Sequence, residues 1–294
     1  MSHQQIYSGD VQQMPLPYAV RSEINQRKNN EDSFQIFALS LGWGRALLPV
    51  LAVADGMGGH AHGEDVSREA LRKISLALFE QLSVSPSLNQ LQPLAPLDAK
   101  ILSAALQDSI AQANGYVKKM VDVNHWGKAG STVVIAAILE NTAVVANLGD
   151  SPLFHYRAKD GHLTQVTEEH TLAGVLLRQG MISSEMARSH FGRNQLSLYL
   201  GYPDFTTNLS PTRQVAISPG DLLLLCSDGV SSSLEHQQIA DILAGADLEE
   251  MANRLVAASR DAGATDNQTL ILWRHPERKT PADTIVLSSY TTVQ

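Results

Sequence analysis

The chain is poor in the features that staple, anchor or export a protein. A single cysteine, Cys226, stands in 294 residues. No intrachain disulfide can form, which fits a reducing compartment. The opening MSHQQIYSGDVQQ has neither a basic start nor an apolar core, so it does not read as a signal peptide. The longest apolar runs, Leu47–Ala54 and Leu222–Cys226, fall far short of the ~20 residues that span a bilayer. Positive charge is also scarce. Twenty-two basic residues face thirty acidic ones, for a formal net charge of −8. Such a surface does not grip nucleic acid by bulk electrostatics. The expectation is a cytoplasmic protein with no membrane or nucleic-acid partner.

Several catalytic designs are missing too. No Gly-x-x-x-x-Gly-Lys-Ser/Thr loop is present. A cysteine-nucleophile phosphatase would carry arginine where Ser232 stands, so Cys226 reads as a small buried apolar residue. Gly149-Asp150-Ser151 approaches a nucleophile elbow, but Leu153 occupies the position of its last glycine. His60, His62 and Asp65 invite a zinc reading, yet no neighbouring nitrogen or sulfur ligand completes it.

What is present is an ordinary globular composition, 44% apolar and 18% charged. Asp32–Leu39 alternates loosely as a strand, and Leu47–Ala54 reads as a strand buried on both faces that ends at Asp55-Gly56. Val66, Ala70, Ile74 and Leu78 mark an amphipathic helix over Glu64–Gln81. Ser83–Leu97 reads as a proline-containing loop, and a second helix is expected over Asp98–Val121. Two hairpins follow, Thr132–Leu139 with Thr142–Leu148 and Leu153–Arg157 with Leu163–Val166. Strands at Val215–Ile217 and Leu222–Cys226, helices at Glu235–Leu243 and Leu248–Asp261, and a strand at Gln268–Trp273 complete the pattern. Strands in hairpins and helices in pairs predict a layered α+β or α/β sandwich of mostly antiparallel strands. The expected organisation is an N-terminal arm over 1–18, one domain over 19–275 and a tail over 276–294.

The chemistry is suggested by repetition. Apolar strands end or begin at Asp55-Gly56, Gly149-Asp150, Asp228-Gly229 and Asp266-Asn267, and Glu31-Asp32 opens another. Each pair alone is a common turn. Together they become a site if the strand ends share one edge. Carboxylates gathered so closely must either protonate or hold cations. Oxygen-only donors favour Mg²⁺ or Mn²⁺, with Ca²⁺ as a further option, and a glycine after aspartate lets its carbonyl approach an ion. Such a site can produce hydroxide at neutral pH and attack a phosphorus ester. Arg27, shortly before Asp32, supplies a guanidinium able to hold phosphate oxygens.

These residues, taken in order, resemble the metal-dependent Ser/Thr protein phosphatases of type 2C in their bacterial form. The resemblance rests on Arg27-Lys-Asn-Asn-Glu-Asp32-Ser, Asp55-Gly-Met-Gly-Gly-His60, Gly130-Ser-Thr, Gly149-Asp150-Ser151, Ser227-Asp228-Gly229 and Thr265-Asp266-Asn267. It implies a four-layer α-β-β-α sandwich, two antiparallel sheets flanked by helix pairs. It implies two Mn²⁺ or Mg²⁺ ions bridged by Asp55, with the Gly56 carbonyl, Asp228 and Asp266 as ligands. Glu31 and Asp32 would hold metal-bound waters, and Asp150 with Asp228 a third, weaker ion. Arg27 would bind the substrate phosphate, and residues of about 170–200 would form a flap.

The implied activity is hydrolysis of phosphoserine and phosphothreonine in proteins by a metal-bridged hydroxide, with no phosphoenzyme. The implied partners are phosphorylated proteins and a cognate Ser/Thr kinase, with the chain itself a monomer. Two departures stand out. Pro152 replaces the arginine often found after Gly-Asp-Ser, and Met57 occupies the position of the eukaryotic general acid. His60, His62 or a metal-bound water remain open for that role. A phosphoprotein-binding relative without turnover and a phosphatase of small molecules are the alternative readings.

Overall fold

The computed structural model describes residues 18–40, 47–57, 62–83, 97–202 and 212–276. The strands are β1 (Tyr18–Glu23), β2 (Asp32–Ser40), β3 (Leu47–Met57), β4 (Gly130–Ser131), β5 (Val133–Leu139), β6 (Thr142–Leu148), β7 (Leu153–Arg157), β8 (His162–Gln165), β9 (Arg213–Ala216), β10 (Leu222–Cys226) and β11 (Gln268–Arg274). The helices are α1 (Gly63–Ser83), α2 (Ala99–Asn124), α3 (Leu172–Arg178), α4 (Ser184–Ser189), α5 (Asp228–Ser231), α6 (His236–Leu243) and α7 (Leu248–Asp261).

Two sheets form, in the orders β1-β11-β10-β7-β8 and β2-β3-β5-β6-β9, with β4 beside β3. Neighbouring strands pair antiparallel, as the hairpin pattern requires. The period-2 alternation of side chains explains the layering. In β3, Val50, Ala52 and Ala54 face a core shared with α1 and α2. Leu51 and Val53 face the other way, into a core between the sheets. In β10, Leu223 and Leu225 enter that same inner core, while Leu222, Leu224 and Cys226 face α5, α6 and α7. Three apolar interfaces therefore separate four layers, helix–sheet–sheet–helix, as expected. Both faces of the central strands are buried, which is why they read as unbroken apolar runs.

The helices follow their sequence signals. In α2, Leu102, Leu106, Ile110, Ala113, Val117 and Val121 form the buried stripe. Asp98 caps the first turn by accepting the Ile101 N–H at 2.7 Å. Two expectations change. The strand from Leu47 does not stop at Asp55-Gly56 but runs through Met57, because Asp55 pairs opposite Asp32 and Gly56 opposite Ser131. Tyr18, grouped with the polar arm by its sequence, opens β1, whose register with β11 supplies the backbone partners that local alternation did not announce. Residues 1–17, most of the proline-containing loop (84–96) and 277–294 lie outside the described residues.

The antiparallel pairing decides where the acidic strand ends go. Asp32 lies opposite Asp55, Val133 opposite Leu148, Cys226 opposite Leu270, and Glu23 opposite Gln268. Within each sheet the marked ends thus share one rim. Two cross-sheet contacts bring the rims together. Ser227 Oγ donates to Asp32 Oδ2 at 2.7 Å, and Glu31 N–H donates to Asn267 Oδ1 at 2.9 Å.

Candidate active site

Asp55 is fixed through its backbone. Its N–H donates to Thr132 Oγ1 at 2.9 Å, and its carbonyl accepts from Thr132 N–H at 2.8 Å and Ser131 Oγ at 3.1 Å. Thr132 and Ser151 share a buried hydroxyl contact of 2.7 Å, which joins this segment to the one carrying Asp150. Gly56 N–H donates to Glu31 O at 3.1 Å. A Cβ on Gly56 would sit 2.1 Å from Gly63 O and 2.7 Å from Glu31 O, so β3, the start of α1 and the Glu31 backbone meet here only because the residue is glycine.

The remaining carboxylates arrive from separate strand ends. Asp150 follows β6 through Gly149, which has φ +99°. That glycine is clasped by His170, whose N–H donates to Gly149 O at 2.9 Å and whose Nδ1 accepts the Gly149 N–H at 3.2 Å. Pro152, in place of arginine, offers its carbonyl to Cys226 N–H at 3.1 Å and so ties the same segment to β10. Asp228 opens α5, and Asp266 precedes β11. Arg27 Nη2 donates to Asp266 Oδ2 at 2.6 Å, with both side chains partly open to solvent.

Burial, and crowding after it, is expressed in the titration of these groups. Burial, followed by the charges of Asp32, Asp228 and Asp150, holds Asp55 well above the ordinary carboxylate range. Burial lifts Asp32 to about 7, against the opposing hydrogen bond from Ser227. Burial, reinforced by Asp228, lifts Asp150 to about 8. Asp228 is raised by burial and then by Asp266. Glu31 is raised by burial, with Arg27 opposing. Asp55, Asp150, Asp228 and Asp266 nevertheless keep partial exposure.

Two buried oxygens, Asp32 Oδ1 and Asp228 Oδ1, have no hydrogen-bond partner. An orphaned buried carboxylate oxygen is costly unless something else satisfies it. Among the described residues no group of three or more histidine, cysteine, aspartate or glutamate side chains is placed so that it could hold a metal ion as it stands. The donors still suit one: they are oxygens only, two of them are unpartnered, and Gly56 carries no side chain to screen its carbonyl.

The histidines are divided. His62 lies flat against Trp126, with ring centroids 4.4 Å apart and planes 6° from parallel. Asp65 pairs with Arg68. His60 is outside the described residues. His170, absent from the candidates read from sequence, is pushed down to about 4 by burial, so its Nδ1 lone pair remains free to accept. Thr132, Ser227 and Asn267 were visible only as members of motif blocks. Their partners lie far away in sequence, and no local pattern announces such contacts.

This sandwich, with carboxylates from both sheets on one rim and an arginine beside them, defines a class before any particular relative. Residues 21–270 match the protein phosphatase 2C family, and the chain belongs to it; it is a protein phosphatase. Serine/threonine phosphatase stp of Listeria welshimeri is 32% identical over 251 residues, covering 84% of this chain and 90% of that protein. The crystal structure of the Mycobacterium tuberculosis serine/threonine phosphatase PstP/Ppp has a TM-score of 0.70 at 28% identity, covering 88% of this chain and 98% of that one. The catalytic domain of PstP in complex with two manganese ions has a TM-score of 0.67 at 26% identity, with coverage of 88% and 98%. Among the described residues no helix is long and apolar enough to cross a membrane.

Proposed function

We propose that this enzyme hydrolyses phosphoserine and phosphothreonine in proteins with the help of divalent cations. One observation carries the reading. Five aspartates are brought from both sheets to one rim, where burial first, and the charges of neighbouring carboxylates after it, lift four of them above the ordinary carboxylate range. Such a cluster is a poor structural device and a good cation binder. Asp55, the Gly56 carbonyl, Asp228 and Asp266 would hold two ions, Mn²⁺ or Mg²⁺. Glu31 and Asp32 would act through bound waters, and Asp150 with Asp228 would take a third. When bound, the ions supply a hydroxide from water at neutral pH and neutralise charge on the phosphoryl group.

The chain's own side chains do the rest. Arg27, partly exposed and reaching only one Asp266 oxygen, can turn its fork to the substrate phosphate and hold it bidentately. The Thr132 and Ser131 hydrogen bonds keep Asp55 in register while charge develops on the phosphoryl oxygens. The clasp of His170 on Gly149 fixes the start of the 170–200 flap against the Asp150 segment, which makes that flap the candidate for substrate choice. Residues 19–275 carry the catalytic unit. The partners are phosphorylated proteins and the Ser/Thr kinase that modifies them, and the protein acts as a monomer in the cytoplasm.

Hydrolysis of p-nitrophenyl phosphate, measured with Mn²⁺, with Mg²⁺ and with chelator, tests the reading. Turnover should require metal, and Asp55→Asn or Asp228→Asn should abolish it; wild-type rates in either variant would remove those carboxylates from the site. A phosphoserine peptide assayed against nucleotides and sugar phosphates tests the substrate class, and a preference for the small molecules would refute it.

A further inference from the structure

We propose that Asn267 is the positioning residue for the phosphate clamp: its side-chain amide sets the shape of the loop that presents Arg27. The inference rests on the reading of Arg27 as the group that holds phosphate.

Residues 24–31 cross from β1 in one sheet to β2 in the other, with Arg27 near the crown. They form no helix or strand, so their backbone groups need partners from elsewhere. Asn267 supplies three. Its Nδ2 donates to Ile24 O at 2.9 Å and to Asn29 O at 2.9 Å, gripping the loop on both sides of Arg27. Its Oδ1 accepts Glu31 N–H at 2.9 Å, fixing the exit into β2. Swapping the amide oxygen and nitrogen would set oxygen against two carbonyls and NH₂ against an N–H, so only one orientation satisfies all three contacts. The residue is 5% exposed, which shields these bonds from water.

The backbone of Asn267 does a different job. Its N–H donates to Asp266 Oδ1 at 2.8 Å, and its carbonyl packs where a Cβ on Gly229 would come within 2.0 Å. Those contacts do not depend on the side chain. Removing the amide should therefore loosen the Arg27 loop while leaving Asp266 held.

Steady-state kinetics with p-nitrophenyl phosphate at saturating Mn²⁺, inhibition by inorganic phosphate and calorimetric Mn²⁺ titration separate the two jobs. Asn267→Ala should raise KM and the inhibition constant for phosphate roughly tenfold, with kcat changed less than about threefold. Its Mn²⁺ affinity should stay within about threefold of wild type. In a double-mutant cycle, Arg27→Ala with Asn267→Ala should match Arg27→Ala alone, because a displaced loop matters only through the group it carries. Asn267→Ser, which keeps one hydroxyl, should fall between wild type and Asn267→Ala, and it takes the place of the alanine variant if that chain shows no cooperative thermal unfolding. Effects that multiply in the double variant would overturn the inference, as would a loss of Mn²⁺ affinity with KM unchanged. If Arg27→Ala alone leaves KM at the wild-type value, the Arg27 reading fails and takes this inference with it. If Arg27→Ala raises KM and Asn267→Ala does not, only this inference fails.

Discussion

At the scale of single residues, the rim aspartates tie stability to pH. Asp32 titrates near 7 and Asp150 near 8 in the fold, each lifted first by burial. A carboxylate whose folded pKa is raised binds its proton more tightly in the native state than in the unfolded chain. Its protonation favours folding below the folded pKa, and that contribution is lost as pH rises through it. His170, pushed down to about 4, acts in the opposite sense only where the unfolded histidine charges, below about 6.5. Between pH 6.5 and 8.5 the carboxylates therefore decide. Chelator-treated protein should lose thermal midpoint steadily across that window in a scanning experiment, and added Mn²⁺ should stabilise it more at the upper end than at the lower. A flat or rising midpoint would mean that these groups are not crowded in solution. The acidic residues themselves were legible in the sequence, because aspartate next to glycine recurs at the ends of apolar runs. The groups that orient them were not, since Ser227 reaches Asp32 and Asn267 reaches the Arg27 loop across the gap between the sheets.

At the scale of elements, the end of β3 is one of the tightest junctions of the site. A methyl group on Gly56 would meet the Gly63 carbonyl at 2.1 Å, and that atom belongs to backbone that cannot rotate aside. Gly56→Ala should force β3 and α1 apart, at a cost of about 1–3 kcal/mol in unfolding free energy. Because the displacement falls beside Asp55 and Glu31, Mn²⁺ affinity should fall with it. Thermal unfolding and Mn²⁺ titration of the variant check both, and wild-type values would show that the strand end can yield. The sequence pointed to a strand that stopped at Asp55, since Asp-Gly is a frequent turn. Pairing with β2 and β4 outweighs that local preference and carries the strand onward. The helices were legible for a simpler reason: the spacing of Val66, Ala70, Ile74 and Leu78 on α1 depends on local periodicity alone, and all four are buried. β1 was not legible, because YAVRSE becomes a strand only through its register with β11, at the far end of the domain.

At the scale of the whole molecule, Arg27 and all the proposed metal ligands lie between Tyr18 and Arg274, the first and last strand residues described. A chain ending at Pro276 should keep Mn²⁺-dependent turnover and the wild-type thermal midpoint. Loss of either would assign 277–294 to the folded unit. A layered, mostly antiparallel sandwich was readable from hairpins and paired helices, and its four-layer order came from the family resemblance. The meeting of the two rims was not readable, since it is set by packing between the sheets.

That packing has a consequence for how the protein tolerates change. Glu31, Asp32, Asp55 and Asp150 ride on one sheet, while Asp228 and Asp266 ride on the other. The distances within the ligand set are thus dictated by a seam of interlocking aliphatics, Leu51, Val53, Val134, Leu223, Leu225 and Ile271 among them. Such a seam works like the dowels of a two-part mould. Changes deep inside, remote from any phosphate, would shift one half of the set against the other, so precision at the rim is inherited from side chains that never touch a substrate.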